Sequence, residues 1–300
     1  MRIGINATGG ARTLEELVEV ARRAEQDGFD SLWIAQIFGL DALTALAVVG
    51  QQVDRIELGT AVVPTYPRHP MMLAGQALTT QAASGDRLTL GIGLSHQIVV
   101  EHMWGYSYGR PVRHLREYLD ALLPLLRGES VDVHGELLTC VGQLDVPGTT
   151  APEVLVAALG SQMLALAGGR GCGTITWCTG EKALLGHVVP RLSAAAASAG
   201  HPTPRVVAGL PVCVTDRPEV ARERVAAELV VYGGLPSYRA MLDIEGVEGP
   251  ADVAIIGDEH EVGAALDRLA EGGVTDLSAV VAAPDADDHE RTWQFLKARV

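Results

Sequence analysis

The chain has 300 residues, 48% of them hydrophobic and 20% charged, with a formal net charge of −14. This composition excludes general disorder, and the acidity makes nucleic acid or an anionic membrane a poor partner. Four cysteines, Cys140, Cys172, Cys178 and Cys213, form no C-x-x-C pair, so reduced thiols in a cytoplasm are expected rather than zinc or a disulfide scaffold. No apolar run reaches the length of a membrane span, and Met1–Asn6 runs straight into a strand with no signal-peptide h-region.

Apolar runs alternate with helical periods from the first residue onward. Strands are expected over 2–7, 31–35, 55–63, 87–94, 153–159, 173–178, 205–214 and 275–283. Most are continuous apolar runs, as strands covered on both faces should be. Only 4% of residues are aromatic, so Val, Ala, Leu and Ile must fill this interior. The first helix, 13–27, opens on a Thr13/Glu16 capping box. Asp41 opens the second helix and Pro70 the third; 111–127, 161–169, 180–199, 217–231, 259–271 and 285–298 follow. Pro190 should kink or divide the 180–199 helix.

Eight strand–helix cycles predict a single α/β domain, a (β/α)₈ TIM barrel over 1–300. The runner-up is a doubly wound sheet. Against it, Asn6-Ala7-Thr8-Gly9-Gly10-Ala11 lacks the G-x-G-x-x-G spacing of a dinucleotide turn. Two Gly/Pro-rich segments break the rhythm: 128–150, read as a hairpin-bearing insertion, and 232–257, read as a second insertion. Each is either a lid or a solvated spacer.

Barrel chemistry belongs to the residues that follow each strand. Those ends carry Gln36-Ile37-Phe38, Tyr66 and Arg68-His69-Pro70, Leu94-Ser95-His96, Gly160-Ser161-Gln162, and Trp177-Cys178-Thr179-Gly180. They contain no paired carboxylates, no metal-type cluster and no G-x-S-x-G elbow, so unaided hydrolysis and metal chemistry are poorly supported. An organic cofactor would explain how so uncharged a rim reacts.

At this point the chain resembles the bacterial luciferase-like superfamily, in particular its coenzyme F420-dependent branch. The resemblance rests on Leu32-Trp33-Ile34-Ala35, Ile56–Pro64, Arg68-His69-Pro70, Leu90-Gly91-Ile92-Gly93, Ile256-Gly257-Asp258 and Gly272-Gly273-Val274. It implies F420, with FMN as the alternative, and a homodimer. It places a non-proline cis peptide at Ala61-Val62 under the cofactor ring; an ordinary trans strand end is the plain alternative. It places the cofactor phosphate near Gly160, Ser161 and Gln162, beside Trp177, Cys178 and Thr179, with Leu94, Ser95 and His96 facing the ring. Gly160 has the simpler reading of a tight turn, Cys178 that of a wall residue, and His69 that of a helix cap.

One departure matters. Relatives often end strand two with an acidic residue and a histidine, where this chain has Gln36-Ile37. Gln36 forms hydrogen bonds but delivers no proton at pH 7. The reading is therefore a reductase passing hydride from reduced F420 to an activated C=C or C=N bond of a small organic or natural-product substrate, with the proton from His96, Tyr66 or water. Its rivals are an FMN-dependent monooxygenase and a non-catalytic flavin-binding barrel.

Overall fold

Eight parallel strands close into a ring in the computed structural model, which describes residues 1–300. The ring begins with β1 (Arg2–Asn6), β2 (Ser31–Ile34), β3 (Glu57–Thr60) continued by β4 (Val63–Pro64), and β5 (Leu88–Gly93). An antiparallel hairpin, β6 (Val131–His134) and β7 (Thr139–Gly142), stands outside it. The ring continues with β8 (Glu153–Val156), β9 (Gly173–Trp177) and β10 (Val206–Val214). A short β11 (Ile255–Gly257) pairs with the end of β10, and β12 (Asp276–Val281) closes back onto β1. The outer helices are α1 (Leu14–Gln26), α2 (Ala42–Gly50), α3 (Pro70–Ala83), α4 (Pro111–Leu126), α5 (Ser161–Gly169), α6 (Glu181–Ala183), α7 (Val189–Ser198), α8 (Pro218–Gly233), α9 (Pro236–Glu245), α10 (Glu259–Glu271) and α11 (Ala286–Lys297). None is long and apolar enough to cross a membrane.

Local chemistry sets these boundaries. Thr13 and Glu16 exchange both bonds of the capping box, at 3.1 and 3.0 Å. Asp41 Oδ1 accepts from Thr44 N at 3.0 Å, and Pro70 fills a first-turn position. The expected 180–199 helix is divided: a π-helical turn over Leu184–Val188 separates α6 from α7, which carries Pro190 in its first turn. The segment after β10 is more ordered than its glycines suggest. In it α8, α9, a 3₁₀ turn (Pro250–Val253) and β11 pack a small core of their own around Val225, Leu229, Leu242 and Ile256.

Inside the barrel the side chains lie in layers. At the amino end, Arg205 bridges Glu57, Glu153 and Asp276 at 2.9, 2.7 and 2.6 Å. Trp33, Leu155, Ile175 and Val207 fill the middle. Trp33 fits because its neighbours lack side chains: a Cβ on Gly59 would stand 2.1 Å from the indole. Towards the carboxyl end the inward positions on three strands shrink to Gly93, Ala157 and Gly209, with the Trp177 ring lying against Gly209.

Candidate active site

The third barrel strand is not continuous. The 55–63 run breaks into β3 and β4, and the Ala61–Val62 peptide between them is cis, where the resemblance placed it. The break bows inward over β5, where glycines make room for it. A Cβ on Gly91 would lie 1.9 Å from the Thr60 carbonyl oxygen, and one on Gly93 would lie 2.7 Å from Val62. Thr60 bridges the gap: its hydroxyl donates to Gly91 O at 2.7 Å and accepts from Gly91 N at 2.8 Å. Gln36 is tied to the same spot, with its N–H donating to Val62 O at 3.1 Å. Its side-chain oxygen accepts from Ala42 N at 2.6 Å, so only the amide NH₂ is left for a ligand.

Gly91→Ala should therefore push the bulge out of place, lowering stability by roughly 1–3 kcal/mol. Denaturant unfolding checks this. An unchanged midpoint would mean that the bulge does not depend on the glycine.

Beyond β4, Tyr66 is sandwiched. Its ring stacks on His114 at 4.0 Å between centroids and 4° between planes, and on Tyr108 at 5.5 Å. The Tyr66 hydroxyl is buried with no hydrogen-bond partner, and burial pushes its pKa up to about 12. His114 Nε2 shares a 3.0 Å hydrogen bond with the fully buried Thr65 hydroxyl. Burial drives the His114 pKa down to about 4, so the folded ring refuses the proton that the unfolded chain takes up near 6.5. Stability is then independent of this ring above pH 6.5 and falls as the pH drops from 6.5 towards 4, by roughly 3 kcal/mol. His114→Gln should flatten that part of the decline, read as the difference between variant and parent in denaturant unfolding at pH 7 and pH 4.5. Parallel declines would show that His114 is not the group responsible.

The loop after β5 puts Ser95 at φ +60°, in the left-handed region. Leu94, beside it, is half-buried and packs against the main core. His96 is half-buried, and burial alone lowers its imidazole pKa. It faces Tyr232 and Tyr238, whose ring centroids lie 6.1 and 5.8 Å away. Glu101 secures the loop by accepting from Gln97 Nε2 at 3.0 Å and Tyr108 N at 3.2 Å. His69 is a cap: its Nδ1 accepts from Met71 N at 3.3 Å, and its Nε2 is bonded to Thr139 O at 2.9 Å.

Two helix starts lie further round the mouth, and they differ. At α6, the Glu245 carboxylate accepts from Ala183 N at 2.7 Å, so a protein anion already occupies that end. At α5, Gly160, Ser161 and Gln162 are exposed, no side chain caps the helix, and a Cβ on Gly160 would meet nothing within 4 Å. An external anion is thus favoured at α5 over α6. Between them, Cys178 stands at φ +46° in a fully buried position that pushes its thiol pKa far up, which fits a wall and not a nucleophile. The Thr179 hydroxyl donates to Trp177 O at 3.1 Å, and Trp177 Nε1 is buried without a partner.

The rim after β3–β4 thus joins Gln36, Ala61 and Val62, and the α8–α9 segment joins His96 to Trp177. Tyr108, His114, Tyr232 and Tyr238 are components that sequence reasoning missed. The available signal was scarcity: a chain with six tyrosines places these three beside chemically eligible strand ends. The cleft of about 690 Å³ near the hairpin, lined by Arg127, Gln143 and Thr150, lies away from all of them.

A closed barrel, a bulged third strand over a glycine pair and an aromatic-walled carboxyl-end mouth define a (β/α)₈ protein of luciferase-like build. The chain belongs to the luciferase-like monooxygenase family, whose pattern matches residues 1–276. It is 27% identical over 277 residues to a 5,10-methylenetetrahydromethanopterin reductase of Methanolobus tindarius, covering 90% of this chain and 83% of that one. Among solved structures, it matches the coenzyme F420-dependent tetrahydromethanopterin reductase of Methanopyrus kandleri with a TM-score of 0.82 at 19% identity, covering 100% and 98% of the two chains. It also matches the oxygenating constituent of 3,6-diketocamphane monooxygenase of Pseudomonas putida, solved with FMN, at a TM-score of 0.76 and 19% identity, covering 99% and 96%.

Proposed function

We propose that this chain is an F420-dependent oxidoreductase that reduces an activated C=C or C=N bond of a small organic substrate. The observation that carries the reading is the bed at the mouth: the Ala61–Val62 backbone bows over Gly91 and Gly93, and Ala61 and Val62 rest on the layer that holds Trp33. A flat tricyclic ring fits such a bed, and the buried, unpartnered Tyr66 hydroxyl and Trp177 N–H offer it or its co-substrate hydrogen bonds. The open start of α5 suits a cofactor phosphate. Bound reduced F420 would supply the hydride. The chain's own residues would orient the ring, exclude water and move one proton, for which His96 is the leading group and Tyr66 the second. The high pKa of Tyr66 makes it a hydrogen-bond donor rather than a ready proton source. Similarity to a putative coenzyme F420-dependent oxidoreductase of Mycobacterium tuberculosis, 36% identical over 131 residues, supports the choice of cofactor, and FMN is the second reading because a barrel of the same build holds it. As in the family resemblance, the working assembly is a homodimer.

The test uses Gly160→Val. The site has open space and an ordinary φ of −71°, so the protein should fold unchanged. F420 binding should nonetheless weaken about tenfold or more as the side chain blocks the helix start. Unaltered affinity, with unaltered unfolding, would move the phosphate elsewhere.

A further inference from the structure

The chain is sparing with aromatic residues, yet eight of its thirteen lie on the loops and cap around the barrel mouth. They form two groups. One is the Tyr108–Tyr66–His114 stack, whose ring faces already cover one another. The other is built differently. Trp177, Tyr232 and Tyr238 meet edge to face, at 6.3 Å and 69° and at 5.1 Å and 77°, with His96 at the side of the two tyrosines. Edge contacts leave the ring faces unstacked on one another, and each ring is half-buried, with one side resting on the small core of the cap. Trp177 Nε1, buried beside the Tyr232 hydroxyl and without an acceptor within 3.5 Å, can only donate.

Charge narrows the ligand further. The cations nearest the two ring groups are engaged: Arg68 with Asp41, Arg110 and Arg113 with Glu136, Arg239 with Asp243, and Lys182 with the Glu245 carbonyl, while the unpaired Arg12 and Arg116 are exposed on the β1–α1 loop and on α4. A phosphorylated or carboxylated substrate would find no ready counter-ion among them, in a chain of net charge −14. Tyr232 and Tyr238 also belong to the α8–α9 cap, which follows β10 on the side of the ring opposite the Ala61–Val62 bed, so these two rings are the ones assigned to the second ligand.

We infer that the substrate is an uncharged, planar, conjugated ring compound bearing a hydrogen-bond acceptor such as a ring carbonyl, held against Tyr232 and Tyr238 with its acceptor on the Trp177 N–H. This rests on the oxidoreductase reading but concerns recognition alone.

The test is direct binding, by quenching of protein fluorescence, with chromone as the planar conjugated ketone, 4-chromanone as its non-planar relative, and glucose 6-phosphate as the anionic comparison. Each is titrated into the cofactor-free protein and into the F420-loaded protein. Chromone should bind at least tenfold more tightly than either comparison compound. Tyr238→Leu and Tyr232→Leu should each weaken chromone about fivefold or more. Trp177→Phe, which keeps a ring and removes the donor, should weaken it similarly. Preference for glucose 6-phosphate, or chromone affinity unmoved in all three variants, would overturn the inference. The F420 titration is scored separately: failure of F420 to bind while chromone binds as described sinks the cofactor assignment and leaves the substrate class standing. F420 binding without chromone binding does the reverse.

Discussion

Arg205→Met should destabilise the protein by about 3–5 kcal/mol, a large share of the 5–15 kcal/mol that typically holds a domain together. Arg205 plugs the amino end of the barrel, bonding Asp276 through two nitrogens at 3.1 and 2.6 Å and reaching Glu57 and Glu153 as well. The Asp276 side chain is only 1% exposed, so removal of the guanidinium strands a carboxylate that water cannot reach. Arg2 offers partial relief, at 3.4 Å from Asp276 and 2.8 Å from Glu57, which argues for the lower half of the range. The exposed Arg110–Glu136 pair should be worth a small fraction of this. Urea unfolding of Arg205→Met and Arg110→Met makes the comparison. Equal, small losses would show that the plug does not carry the barrel. The double change Arg205→Met/Asp276→Asn should recover part of the loss, because less charge is left buried.

His96→Ala should lower turnover by about 10²-fold while weakening F420 binding far less, if its imidazole passes the proton. The sign of the pH dependence follows from burial. The His96 pKa is held below its ordinary 6.5, so the protonated, donating form is lost as the pH rises through that lowered value. Turnover should fall over the same interval in the parent and show no such step in His96→Gln. A step that persists in the variant assigns it to another group. Turnover unchanged in His96→Ala removes His96 from the chemistry and leaves Tyr66 or water as the source.

The barrel was legible because its signals are local. Continuous apolar strands, the Thr13/Glu16 box, Asp41 and Pro70 each act within a few residues, and the structure has a strand or helix start at each place. The break at Ala61–Val62 was legible only by resemblance. Composition gives no reason for it until Gly91 and Gly93 are seen to lie across from it. The order within 232–257 was hidden by its glycines and prolines, because α9 is held by distant partners: Lys182 Nζ and Ala183 N both bond Glu245. The Tyr66–His114 stack joins residues 48 positions apart, and the Thr65–His114 hydrogen bond spans 49. Nothing in either stretch alone marks them.

Titration of the purified protein with F420 and with FMN, followed by cofactor absorbance and protein fluorescence under identical conditions, tests the cofactor assignment most directly. Saturable F420 binding, tighter than FMN and weakened by Gly160→Val, is the predicted result. Tighter binding of FMN, or no binding of either, would contradict it.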